Sequence, residues 1–126
     1  MGEPTGLRHE DLTYGIIGCA QRVHAALGPG FPEAVYHKAM CLELAKSKVP
    51  FESEKTYEVA YQGTLCGEFR ADLVAGEAVV VELKALAALS GDHTSQVLAY
   101  LKASGLKVGL LFNFGRASLE MKRLVF

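Results

Sequence analysis

The sequence predicts an α+β domain whose elements run helix, helix, strand, strand, strand, helix, strand, strand. Two stretches near the start repeat apolar residues at helical spacing. Three strand-like segments then follow one another across short turns, which favours an antiparallel layer over alternating βα units. At 126 residues, 50% hydrophobic and 21% charged, the chain has the size and composition of one globular domain spanning residues 1–126.

Residues 1–10 are polar and hold Pro4 and Gly6, so a loose lead-in is expected, with no apolar leader core. From Asp11, the residues Leu12, Ile16, Ala20, Val23 and Leu27 recur on one helical face. Gly28-Pro29-Gly30 stops that helix. A second helix is expected from Phe31-Pro32 to about Lys48, with proline in its first turn and Glu33 favoured by the positive helix end. Tyr36, Met40 and Leu44 form one stripe on it, and Val35, Ala39 and Leu42 an adjoining one. Val49-Pro50 ends the helix, and Glu52–Tyr61 alternates as a strand, with Tyr57, Val59 and Tyr61 on one side. Gln62-Gly63 turns the chain back into Thr64–Val74. Ser90-Gly91-Asp92 marks the start of a third helix running to Ser104, and Gly105 closes it. Lys107–Phe112 reads as a short buried strand, Asn113–Gly115 as a turn, and Leu119–Phe126 as a last strand.

The stretch Phe69–Lys84 reads as a hairpin whose apolar arms, Phe69–Val74 and Ala78–Leu83, flank a break at Ala75-Gly76-Glu77. It carries Asp72 on one arm and Glu82 and Lys84 on the other. Alternation puts Val80, Glu82 and Lys84 on one face and Val79, Val81 and Leu83 on the other. Burying charge costs several kcal/mol unless it is paired or bound to a cation. The three charges are therefore solvated, bridged to one another as a structural pair, or a chemical site in which two carboxylates hold Mg²⁺ and a lysine orients water. Asp72 and Glu82 share a face only if the connection is odd in length or bulged; a two-residue turn at Gly76-Glu77 would aim Asp72 the wrong way.

A net charge of −1 excludes a global basic field of the kind a non-specific nucleic-acid coat protein needs, while leaving room for a local basic rim. Three scattered cysteines, Cys19, Cys41 and Cys66, without a CxxC pair predict reduced thiols in a cytoplasmic protein. No apolar run reaches the length of a membrane span.

Gly30-Phe31-Pro32-Glu33-Ala34-Val35-Tyr36 resembles the motif of the GxxExxY proteins. Arg70-x-Asp72, Glu82-Leu83-Lys84, His93-x-x-Gln96-x-x-x-Tyr100-Leu101-Lys102, Gly109-Leu110-Leu111-x-Asn113-Phe114-Gly115 and Lys122-Arg123 continue the match in order. On these residues the chain is similar to the PD-(D/E)XK nuclease superfamily from about Leu12 to Val125. The resemblance implies a central mixed β-sheet of about five strands flanked by helices, and metal-dependent hydrolysis of phosphodiester bonds. It implies Asp72 and Glu82 as ligands of Mg²⁺ or Mn²⁺, with the Leu83 carbonyl and Glu33 completing the shell, Lys84 as the residue that positions water, and Gln96 as its orienting partner. Tyr36, His93 and Tyr100 are expected to support these groups. Ala71 stands where the superfamily often has proline. The implied partner is nucleic acid, DNA more than RNA, with Arg70, Lys102, Arg116, Lys122 and Arg123 as candidate phosphate contacts. A non-catalytic module that binds nucleic acid or another anion is the competing reading. The apolar last strand Leu124-Val125-Phe126 admits a homodimer through a free edge.

Overall fold

Helix α1 (Glu10–Leu27) buries Ile16, Cys19, Ala20 and Val23, the stripe set by its apolar spacing. Helix α2 (Glu33–Lys46) buries Tyr36, Met40 and Leu44. The adjoining stripe is largely solvated, with Leu42 exposed. The computed structural model describes residues 9–126, so residues 1–8 of the lead-in expected over 1–10 lie outside it, and Glu10 already belongs to α1. Helix α2 is shorter than expected at both ends. Pro32 occupies the extended N-cap position, and the chain leaves the helix at Ser47 because Lys48 takes a left-handed φ of 60°.

Strands β1 (Phe51–Tyr61), β2 (Thr64–Ala75), β3 (Val79–Lys84), β4 (Val108–Asn113) and β5 (Glu120–Val125) form one sheet in the order β1-β2-β3-β4-β5. Helix α3 (Gly91–Ser104) crosses from β3 to β4, which makes that pair parallel while every other pair is antiparallel. The result is the α+β fold with a mixed sheet that the sequence predicts. A register shift between Val59 and Ala60 interrupts the expected alternation of Tyr57, Val59 and Tyr61. Asn113, expected in a turn, closes β4 instead and pairs with Lys84 on one side and Glu120 on the other.

The sheet separates two apolar layers. Leu73, Val79, Val81, Leu83, Leu110 and Phe112 pack with α1 and α2. Ala71, Val74, Val80 and Leu101 pack under α3, joined by Phe69, Tyr100 and Leu124. β1 and β5 are the edges, and β5 exposes Met121 and Val125, as expected of a free edge strand. Among the described residues no helix is long and apolar enough to cross a membrane, and all three cysteines are free.

Candidate active site

The β2–β3 hairpin closes through Gly76-Glu77-Ala78, with Ala75 paired to Val79. The loop has the odd length that Asp72 and Glu82 need, one residue later than the break read from sequence. Gly76 is required there: its φ is +59°, and a Cβ would lie 2.7 Å from Leu12 Cδ2. Pairing of β2 with β3 runs only from Ala75/Val79 to Leu73/Val81. Beyond that point the carboxylates replace the ladder. The Asp72 N–H donates to Glu82 Oε1 at 3.0 Å, and the Leu83 N–H donates to Asp72 Oδ2 at 2.8 Å. The alternation of β2 also breaks here, because Phe69 and Ala71 join the α3 layer whereas Leu73 and Ala75 join the other. Opposite this break, Glu54 of β1 takes a φ of 55° and drops out of the ladder.

Glu82 is 3% exposed and has no cationic partner within salt-bridge distance among the described residues. Burial, and then the charge of Asp72, push its pKa up to about 8, against the Asp72 N–H and the more distant Lys84. Lys84 makes no salt bridge with the described residues, so the structural-bridge reading of this triplet does not hold. Its ammonium nonetheless acts on both Glu33 and Glu82. Partial burial, and then the charge of Asp72, raise the Glu33 pKa, while Lys84 and His37 pull it down. Glu33, Asp72, Glu82 and Lys84 therefore share one electrostatic environment, although they come from α2, β2 and β3.

Tyr36 holds α2 in place. Its hydroxyl donates to the Gly28 carbonyl at 2.6 Å and accepts from the Phe31 N–H at 3.2 Å, and its ring stacks on Phe114 with centroids 4.7 Å apart. The tyrosine thus ties the Gly28–Phe31 turn to the core and fixes the helix start that bears Glu33. One turn further along α2, His37 Nε2 lies 2.7 Å from Ser53 Oγ. Neither residue was singled out in the sequence.

On α3, Tyr100 lies within electrostatic range of the carboxylates: burial first, then the charges of Glu82 and Asp72, raise its pKa. Gln96 lies one turn before it, half-buried and without a hydrogen bond to the described residues. His93 does something else. Its Nδ1 accepts the Ser90 N–H at 3.0 Å, so the imidazole caps the helix and is committed to α3 itself. Sequence reading also missed the aromatic stack Tyr57–Phe69–Tyr100, with centroid separations of 5.3 and 4.1 Å. Pairing of Tyr57 with Phe69 across β1 and β2 produces it, a register the sequence does not display.

The basic residues divide. Lys102 lies on α3 near Tyr100, and Arg70 sits two residues before Asp72, 3.8 Å from the exposed Glu54 carboxylate. Lys122 and Arg123 lie on the edge strand β5, and Arg116 in the segment that leads into it. Arg123 is opposite Leu110 and lines a recess with Glu10, Thr13 and Tyr14, so it faces the α1 layer and is removed from the set expected to border the carboxylates. Lys122, opposite Leu111, faces the α3 layer two strands away from β3, and the Arg116 carbonyl meets His24 Nε2 at 2.8 Å.

The donor set fits a hard divalent cation. Asp72 and Glu82 offer carboxylate oxygens side by side. The Leu83 carbonyl leaves β3 on the same side as its N–H, which points at Asp72, because both groups of an extended residue point one way. Among the described residues no three His, Cys, Asp or Glu side chains cluster as a ready metal cage. Mg²⁺ commonly binds through one or two carboxylates, with waters and substrate phosphates filling the shell.

A family model described as the PD-(D/E)XK nuclease superfamily matches residues 10–124. No curated protein is significantly similar in sequence. Among solved structures, the one titled "Crystal structure of SSO0001" superimposes with a TM-score of 0.60 at 16% identity, covering 94% of this chain and 60% of that one. The chain thus spans about 60% of that protein's length, and the likeness is one of fold.

Proposed function

The chain belongs to the PD-(D/E)XK nuclease superfamily, and on that premise we propose that it is a metal-dependent nuclease of the GxxExxY type. The observation that carries this reading is the buried carboxylate pair, Asp72 and Glu82, wedged where β2 and β3 part, with the unbridged Lys84 two residues further along β3. Asp72, Glu82 and the Leu83 carbonyl would hold Mg²⁺ or Mn²⁺, with Glu33 approaching from α2. The cation supplies charge against the developing negative charge on the phosphate oxygens. Lys84 positions the attacking water and stabilises the same charge from the protein side. Gln96, without a hydrogen bond to the described residues, orients the lysine, the water or the phosphate. Tyr100 supports that geometry from α3, and Tyr36 fixes Glu33 at the helix start.

Nucleic acid is the proposed substrate, with DNA favoured over RNA, and Lys102 and Arg70 are the phosphate contacts nearest the carboxylates. The free cysteines fit a reducing, cytoplasmic setting. The test is cleavage of single- and double-stranded DNA and RNA in Mg²⁺ or Mn²⁺. Products that require the metal, vanish with chelator and disappear in Lys84→Met would support the nuclease. Binding of oligonucleotide with no cleavage under any of these conditions would instead establish the non-catalytic module.

A further inference from the structure

A concavity of about 600 Å³ opens between the β1–β2 ribbon and α3. Val59 and Ala60 form one wall, Ala99 and Ala103 the other, and Phe69 and Tyr100 lie between them. The two rings are stacked with centroids 4.1 Å apart and planes 8° from parallel, and Tyr57 extends the stack on the far side of Phe69. Phe69 is covered on both faces by Tyr57 and Tyr100, so its edge lines the groove, and Tyr100 is the link to the site, close enough to Glu82 and Asp72 for their charges to act on its hydroxyl. Lys102 and Glu58 are the charged residues of the lining.

A tract of duplex backbone needs a row of cations, because each neutralised phosphate releases counterions and that release drives binding. This groove offers one cation, opposed by an acid, and is otherwise apolar and aromatic. Its occupant has to be flat and largely apolar, with about one negative charge for Lys102. The volume falls within the range of about 300–1,000 Å³ in which proteins enclose groups of small-molecule size. Aromatic platforms beside a basic residue bind unpaired bases with little regard to sequence. We propose that this groove receives unpaired nucleobases of a single-stranded segment adjoining the phosphate held at Asp72 and Glu82, with Lys102 taking the neighbouring phosphate. The proposal rests on the nuclease reading for the position of that phosphate, and it makes the preferred substrate a single strand, overhang or flap.

The experiment is fluorescence anisotropy of labelled oligo(dT), oligo(rU) and a DNA duplex of equal length, in Ca²⁺, with a Mn²⁺ titration run on the same proteins. Wild type is expected to bind the single strands at least about tenfold more tightly than the duplex. Ala99→Trp, which fills the groove from an exposed helix position, should weaken single-strand binding about tenfold and leave the Mn²⁺ titration unchanged. Ala103→Trp is the second variant, and circular dichroism confirms that both fold. Equal affinity for duplex and single strand, or single-strand binding that neither folded variant weakens, overturns the proposal. Single-strand preference that tryptophan abolishes, in a protein that binds no Mn²⁺, keeps the groove as a base-binding site and removes the catalytic reading.

Discussion

Asn113 at the end of β4 and Glu82 near the end of β3 are buried polar side chains on adjacent strands, and their surroundings differ in kind. Asn113 is saturated. Its Oδ1 accepts the Leu86 N–H at 2.8 Å and the Gly115 N–H at 3.1 Å, while its Nδ2 donates to the Leu86 carbonyl and to Glu120 Oε1, both at 3.0 Å. The surrounding chain is built to that shape: a Cβ on Gly115 would lie 2.3 Å from the Leu86 carbonyl oxygen. The Asn113 amide also holds the Glu120 carboxyl below its ordinary pKa. At Glu82 the shift runs the other way, because burial and a neighbouring acid outweigh what the backbone supplies. A cluster whose donors and acceptors all match fixes a loop. A cluster that crowds a buried acid against a second acid is poised for a cation. The difference separates architecture from chemistry more clearly than burial does, since both groups are buried.

Substitutions can break this comparison from either side. The largest effect is expected from Lys84→Met, which should lower kcat on the order of a hundredfold or more while leaving the Mn²⁺ dissociation constant within about twofold. A parallel loss of metal binding would show that the lysine belongs to the cluster's architecture. Asn113→Ala should do the reverse, lowering stability by about 2–4 kcal/mol in urea unfolding, because it strands the Leu86 and Gly115 N–H groups. The folded fraction should still bind Mn²⁺ normally.

The third prediction concerns pH. Glu82 has a folded-state pKa of about 8, above its ordinary 4.5. Its neutral form is the stabilising one, so that contribution is complete below about pH 4.5 and is lost as pH rises towards 8. Metal-free protein should lose stability across this window, with Glu82 contributing a slope approaching about 1.4 kcal/mol per pH unit. Glu82→Gln should remove that component and be the more stable protein at pH 8, while losing the cation. An unchanged pH profile in the variant would show that Glu82 is not the group that titrates. The smallest effect is expected from His93→Ala. Loss of the Ser90 cap should cost about 1 kcal/mol with kcat unaltered, and a fall in kcat at unchanged stability would return His93 to the site.

Much of the fold was legible because periodicity and punctuation agree. Ile16, Ala20 and Val23 marked the buried face of α1, and the glycine and proline of residues 28–30 marked its end. The odd hairpin followed from parity alone, since Asp72 and Glu82 can meet only across such a loop. Long-range register was harder to read. Nothing local says that β1 pairs Tyr57 with Phe69 and thereby builds an aromatic floor, or that Asn113 prolongs β4 to reach Glu120. The capping role of His93 was not read from sequence, because a histidine three residues after a serine fits a helix cap as well as it fits a site. Arg123 was grouped with Lys122 because charge was counted without regard to face, and in a strand adjacent residues point to opposite layers.

Isothermal titration of Mn²⁺ and Mg²⁺ into wild type and Asp72→Asn/Glu82→Gln, with and without a non-cleavable phosphorothioate oligonucleotide, tests the carboxylate pair most directly. The wild type is expected to bind the ion and the double variant to lose it. Equal binding by both proteins, or no binding by either even with the oligonucleotide present, would contradict a metal site at Asp72 and Glu82.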